Sequence, residues 1–160
     1  MTWDPDQYLR FGAERSLPFR HLVSALEHLE PAAVVDLGCG PGGLTATLRE
    51  VCASGRWKAR LAGLPRTGVR EPGWYLDELG GRGLTATVWL TTYHHILPGP
   101  DPVLEWVKGS TLRPVLERLD ETEQREFTTA YAALLRDAYP EVDGRTSFPF
   151  NRLFVVATRQ

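Results

Sequence analysis

The chain is poor in cysteine, has no long apolar run and carries almost no net charge. Each shortage closes off a class of protein. Its 160 residues include two cysteines, Cys39 and Cys52, in unlike contexts, which predicts no disulfide framework and fits a reducing compartment. No stretch of about twenty apolar residues is present to span a membrane. The opening Met1-Thr2-Trp3-Asp4-Pro5-Asp6 carries acids and lacks an apolar h-region, so the sequence predicts no signal peptide and a cytoplasmic protein. A formal net charge of -2 argues against a nucleic-acid binder, which would show a basic face. Internal repeats and low-complexity linkers are missing too, and one domain of this length can bury a real core.

What is present centres on residues 33–45, Ala-Val-Val-Asp-Leu-Gly-Cys-Gly-Pro-Gly-Gly-Leu-Thr. A short apolar run, fit for a buried central strand over Ala33 to Leu37 with a parallel neighbour, leads straight into glycines 38, 40, 42 and 43. Glycines there let the backbone turn sharply and bring N–H groups close to a ligand at the start of the next helix. The spacing Gly38-x-Gly40-x-x-Gly43 satisfies the dinucleotide fingerprint as well, so the glycines alone select no cofactor. The blandest reading is a strand-to-helix turn that binds nothing. Asp36, two residues before the first glycine, separates these readings once family patterns are considered.

A second strand is not legible. Residues 51–70 hold no convincing β run, and no acidic residue follows at a strand end about 20 positions on to hold a ribose. Elsewhere the pattern is clearer. Tyr8, Phe11 and Arg15 line one side of a short helix over 4–15. Ser16 reads as the N-cap of a second helix, with Pro18 in its first turn and an apolar stripe of Phe19, Leu22, Val23, Leu26 and Leu29; Pro31 ends it. Thr45 to Val51 continues the glycine turn as a helix, and residues 72–79 form another, closed by Gly80, Gly81 and Gly83. Leu84 to Ile96 alternates as a strand, with Leu84, Ala86, Val88, Leu90, Thr92, His94 and Ile96 on one face and Thr85, Thr87, Trp89, Thr91, Tyr93 and His95 on the other. Pro98-Gly99-Pro100 stops it. Asp101 caps a helix running to Val107, and Ser110 starts one carrying Leu112, Val115, Leu116 and Leu119. Asp120 and Glu123 form a capping box for a helix over Glu121 to Tyr139, whose inner stripe is Phe127, Tyr131, Leu134 and Ala138. Leu153 to Ala157 is a last strand, expected to pair antiparallel with Leu84–Ile96.

The segment Asp36-Leu37-Gly38-Cys39-Gly40-Pro41-Gly42 resembles the first motif of class I S-adenosylmethionine-dependent methyltransferases. Further blocks resemble the trans-aconitate methyltransferases. They are Trp3-Asp4-Pro5-x-x-Tyr8-Leu9-x-Phe11 with Glu14-Arg15, then Trp89-x-Thr91-Thr92-Tyr93-x-His95, Glu105-Trp106-Val107, Leu112-Arg113-Pro114 and Phe148-Pro149-Phe150-x-Arg152-Leu153-Phe154-Val155-Val156-Ala157. They span nearly the whole chain in family order. Thr111 departs where the family often has glycine. The larger departure is a gap: between the first helix and the segment Arg56-Trp57-Lys58-Ala59-Arg60-Leu61, about three βα units, or ~90–100 residues, have no counterpart. The join falls within residues 46–52. A break of the backbone there would mean dropped residues, and a continuous backbone a true internal deletion.

The resemblance implies an α/β fold, a Rossmann-like class I methyltransferase sheet abridged by strands two to five, with helical substrate-cap segments. It implies one domain over 1–160, in which 1–50 holds the N-terminal helices and cofactor motif and 54–160 the substrate-side helices and last strand pair. The cofactor is then S-adenosylmethionine, held by Asp36, Gly38, Cys39, Gly40 and Gly42. Methyl transfer to a small tricarboxylate needs no general base, because a carboxylate of pKa near 4 is ionised at neutral pH. Positioning and exclusion of water are what it needs. Arginine grips carboxylates in bidentate fashion, which points to Arg15, Arg113 and Arg152 with Lys108 behind them. Tyr8, Phe11, Tyr93, His95 and Trp106 then supply hydrogen bonds and a wall, and Arg15, Arg113 and Tyr93 are expected to converge on one cleft. Each arginine has a plainer reading as a solvated surface residue, His95 as a strand histidine, and Trp89 and Tyr93 as sheet cover. His94 and His95 point to opposite faces and lack a third ligand, so no metal is expected. Two further functions stay open: a non-catalytic remnant that binds an acid or a partner, and a nicotinamide-binding protein, which the second half of the chain does nothing to favour.

Overall fold

The computed structural model describes residues 6, 9–26, 42–64 and 69–159, with the backbone alone over 42–47. The elements are α1 (Gly12–Ala25), α2 (Gly42–Ala53), α3 (Pro72–Gly80), β1 (Leu84–Pro98), α4 (Pro102–Lys108), α5 (Arg113–Leu116), α6 (Glu121–Ala138), β2 (Glu141–Val142) and β3 (Arg145–Arg159). The three strands form one antiparallel sheet in the order β1-β3-β2. This is an α/β chain. The expected strand Ala33–Leu37 and its parallel neighbour lie outside the described residues.

β1 and β3 pair residue for residue along their whole length, from Leu84 opposite Arg159 to Pro98 opposite Arg145. The antiparallel pairing of Leu84–Ile96 with the last strand is therefore found, but β3 begins eight residues before the expected Leu153. Asp143 and Gly144 both have positive φ, 50° and 73°, the backbone of a tight two-residue hairpin turn, and this turn launches β3 from β2. Burial along β1 changes sides. Leu84, Ala86 and Val88 are half-buried at its start, whereas Tyr93, His95 and Leu97 of the other face are buried at its end. A strand fifteen residues long twists enough to turn different faces toward different neighbours. α3 packs against β1, with α4 touching both long strands.

α6 is the best-specified helix. Asp120 Oδ1 accepts from the backbone N–H groups of Thr122 and Glu123 at 3.0 Å, while Glu123 Oε2 accepts from Asp120 N at 3.0 Å. The expected capping box is present, and both oxygens satisfy donors a bare helix end leaves unpaired. Its buried face is Phe127, Tyr131, Ala132 and Leu135. The expected Ala138 is exposed and Leu134 only half-buried, because the true stripe advances by four residues at each step. Trp57 meets Phe127 edge-on at 5.1 Å between ring centres. Arg60 pairs with Glu123 at 3.1 Å, and Arg118 Nη1 donates to the Ala62 carbonyl at 2.8 Å, which ties the segment after α2 to this helix.

Three helix starts differ from the sequence reading. α1 runs unbroken through Ser16 and Pro18, so no cap separates two helices there. The Ser16 hydroxyl instead donates to the Ala13 carbonyl at 2.8 Å, a bond that competes with a capping role. Of its expected apolar stripe, Phe19 is 61% and Val23 46% exposed, and Leu29 lies outside the described residues. Asp101 precedes α4 but makes no capping bond and sits in the left-handed region. Its carboxylate is taken by Arg136, whose Nε and Nη2 donate to it at 2.6 and 2.7 Å, and this pair holds the Asp101 carboxyl below the usual aspartate range. Ser110 starts no helix, since α5 begins only at Arg113. α2 crosses residues 46–52 as one continuous helix, so the backbone has no break at the join.

Candidate functional site

Trp106, 2% exposed on α4, is the centre of the only ring cluster that gathers several sequence-predicted residues among those described. Its ring centre lies 5.0 Å from Phe11, 5.2 Å from His95, 5.4 Å from Phe148 and 5.2 Å from Phe150. Strand alternation makes this possible. Tyr93 faces Phe150 and His95 faces Phe148 across the β1–β3 ladder, and alternate residues of each strand share one face. Phe11 arrives from the start of α1, and Trp106 closes the cluster from α4.

Cations border these rings. The Arg15 guanidinium lies 4.5 Å from the centre of the Trp106 ring, and its Nη2 donates to the Trp106 carbonyl at 2.8 Å. Arg152 lies 4.4 Å from the centre of Phe150. A guanidinium on an aromatic face is attracted by the ring quadrupole. Tyr93 OH and His21 Nδ1 share a hydrogen bond of 2.8 Å. Burial pushes the Tyr93 hydroxyl up in pKa, against smaller opposing effects of Arg152 and of a hydrogen bond with Thr91.

His95 has the most telling environment. It stacks between Trp106 at 5.2 Å and Tyr93 at 6.2 Å, and its Nε2 is buried with no hydrogen-bond partner among the described residues. Buried polar atoms are nearly always paired, so an orphan requires an explanation. Burial lowers the His95 pKa, Arg152 lowers it further, and Glu14 opposes both. The ring is therefore neutral near pH 7. A depressed histidine contributes its full stability above about 6.5 and loses it as pH falls from there through the folded value. A carboxylate seated beside Nε2 favours the charged form. Seating a small carboxylic acid there is expected to raise the His95 pKa toward or above its ordinary value, read from the imidazole proton shift during an NMR titration. A titration curve that does not move shows that no carboxylate binds beside Nε2.

Phe11, Arg15, Tyr93, His95, Trp106 and Arg152 thus stand in one neighbourhood. Arg113 stands apart on α5, where its Nε donates to Glu117 Oε1 at 2.8 Å. Lys108 is engaged with Glu105 at 2.5 Å. Tyr8, Asp36, Gly38, Cys39 and Gly40 lie outside the described residues, while Gly42 opens α2. His21 and Phe150 are additions. The alternation Phe148-x-Phe150-x-Arg152 places all three on one strand face and signals Phe150 in advance, whereas nothing in the pattern of α1 marks His21. Among the described residues no group of three or more His, Cys, Asp or Glu is placed to hold a metal ion, and no helix is long and apolar enough to cross a membrane.

No family model matches the chain. The trans-aconitate 2-methyltransferase of Streptomyces avermitilis is 30% identical to it over 262 positions, covering 99% of this chain and 97% of the relative. The chain belongs to the trans-aconitate 2-methyltransferase family. The enzyme of that name from Streptomyces coelicolor is 30% identical over 263 positions, with 99% of this chain and 87% of the relative covered. That of Mycobacterium tuberculosis is 31% identical over 250 positions, with 97% and 96% covered. These alignments run far past 160 positions yet reach nearly both ends of the chain and of the Streptomyces avermitilis relative. The excess therefore lies within the aligned region rather than beyond its ends.

Proposed function

We propose that this chain carries the site of an S-adenosylmethionine-dependent carboxyl O-methyltransferase of the trans-aconitate 2-methyltransferase type, which forms a methyl ester of a small tricarboxylate in the cytoplasm. The supporting observation is the convergence, in a chain of this family, of Arg15, Arg152 and the His95 Nε2, which has no partner among the described residues, on one aromatic wall. Its fold on this reading is an abridged Rossmann-like sheet with helical cap segments, forming one domain over residues 1–160.

The chain's own residues meet the demands of the reaction. Arg15 and Arg152 hold ligand carboxylates by charged hydrogen bonds, and Arg113 is assigned to the same substrate by the family resemblance alone. Tyr8 and Tyr93 orient the acid, and His95 donates from Nε2. Phe11, Trp106 and Phe150 exclude water, which strengthens each of those bonds. No residue need take a proton, since the attacking carboxylate is already ionised. Asp36, Gly38, Cys39, Gly40 and Gly42 would hold the cofactor, whose part when bound is to present an electrophilic methyl group. α2 begins at Gly42 among the described residues and has no acidic residue in its first turn, which suits an anionic group near its N-terminus.

Calorimetric titration with trans-aconitate tests the acid site. Arg15→Ala is expected to weaken binding by about 1.5–3 kcal/mol, the worth of a charged hydrogen bond, with far-UV circular dichroism unchanged. Equal affinity for the two proteins overturns the assignment. A second reading, acid binding without methyl transfer, is favoured by the internal shortening alone: 262 aligned positions face 160 residues.

A further inference from the structure

β1 lies at one end of the sheet order β1-β3-β2, and β3 is its single strand neighbour among the described residues. Such an edge presents a row of backbone donors and acceptors, which proteins usually guard with charged side chains, proline or bulges. From Val88 to Leu97 the sequence is Val-Trp-Leu-Thr-Thr-Tyr-His-His-Ile-Leu, without acid, lysine, arginine or proline. The register with β3 advances one residue at a time throughout, so there is no bulge either. On the outward face of this stretch Leu90 is 54% and Ile96 55% exposed.

We propose that this edge is a docking surface for a second copy of the chain, with β1 pairing antiparallel to the partner's β1 about a two-fold axis at Tyr93. That register is selected by self-complementarity. It sets Leu90 against the partner's Ile96 and Ile96 against the partner's Leu90, while Thr92 meets the partner's His94. Within residues 88–98 every other register leaves at least one of the two apolar side chains opposite a polar residue or without a partner. The absence of formal charge on the strand removes the repulsion that like charges would impose across a two-fold axis. Residues 88–98 form a contact strip about 36 Å long at the usual strand rise. At a width of ~15 Å this buries roughly 1,000 Å² in total, the lower bound for a specific interface. The two sheets join into one of six strands.

Sedimentation equilibrium from low to high micromolar concentration reads the outcome against a monomer mass of 17.9 kDa. The unaltered chain is expected at twice that mass at the upper end. Leu90→Lys and Ile96→Glu, each at an exposed position, are expected to weaken dimerisation by about tenfold or more without changing the circular dichroism spectrum. Combining the two places opposite charges across the proposed register and restores the dimer. Amide hydrogen exchange adds an independent readout, with protection within residues 88–98 rising with protein concentration. A monomer at every concentration overturns the proposal, as does a dimer indifferent to both single substitutions. Failure of the combined variant to recover overturns the register at Tyr93.

Discussion

Trp106→Ala is expected to cost about 3–5 kcal/mol of folding stability, the range for removing a large buried aromatic side chain, and to abolish trans-aconitate binding with it. The ring is 2% exposed and contacts Phe11, His95, Phe148 and Phe150. Its loss opens a cavity where α1, α4 and both long strands meet. A domain of this size is stable by roughly 5–15 kcal/mol, so the change consumes a large share of the total. It also strips Arg15 of the aromatic face that holds its guanidinium and leaves His95 without one of its stacking partners. Urea unfolding gives the stability change, and calorimetry at a temperature where the variant stays folded gives the binding change. Trp106→Phe keeps an aromatic surface and is expected to retain most of both. A loss below about 1 kcal/mol for the alanine variant would show that the cluster does not organise the fold.

How legible this site was depended on which rule governed each element. Alternation identified β1 and the face bearing Tyr93 and His95, because a strand with one buried face must obey a period of two. The capping box at Asp120 fixed the start of α6, since those two side chains have few other roles at that spacing. β3 was harder to read. Pro149 within Phe148-Pro149-Phe150 reads as a break, yet among the described residues the strand has only β1 beside it at that point, and such a strand tolerates a missing N–H. The Asp143-Gly144 pair, a hairpin signal in its own right, marks the true beginning. Ser16 and Asp101 look like caps by residue type, but a tertiary partner decides for Asp101: Arg136 lies 35 residues away in sequence. Long-range pairings of that kind leave no local trace, and the same holds for His21 with Tyr93. Arg113 illustrates the opposite case, where resemblance groups a residue with the substrate set while its nearest charged neighbour, Glu117, is one helical turn along.

The 160-residue chain taken alone is expected to bind trans-aconitate but to transfer no measurable methyl group to it, even with Asp36 and the glycines intact. α2 passes without interruption from Gly42 through residues 46–52 to Ala53. The chain then turns through residues 54–64 toward α6 instead of entering a second strand. The described sheet is wholly antiparallel, whereas a doubly wound fold holds ribose and adenine at the ends of successive parallel strands. Relatives aligned over 262 positions have room for those strands within the stretch this chain lacks. A ribose-binding carboxylate contributes a charged hydrogen bond of about 1.5–3 kcal/mol. Losing it together with the enclosure of adenine weakens cofactor binding by roughly a thousandfold or more. Acid binding does not share this dependence, because Arg15, His95, Trp106 and Arg152 all come from segments that are present. The decisive measurement uses labelled S-adenosylmethionine and trans-aconitate with chain confirmed at 17.9 kDa by mass spectrometry, beside the Streptomyces avermitilis relative as a positive control. Turnover approaching that of the relative would show that one glycine turn and the remaining helices suffice to hold the cofactor, and would return the chain to the enzymes outright.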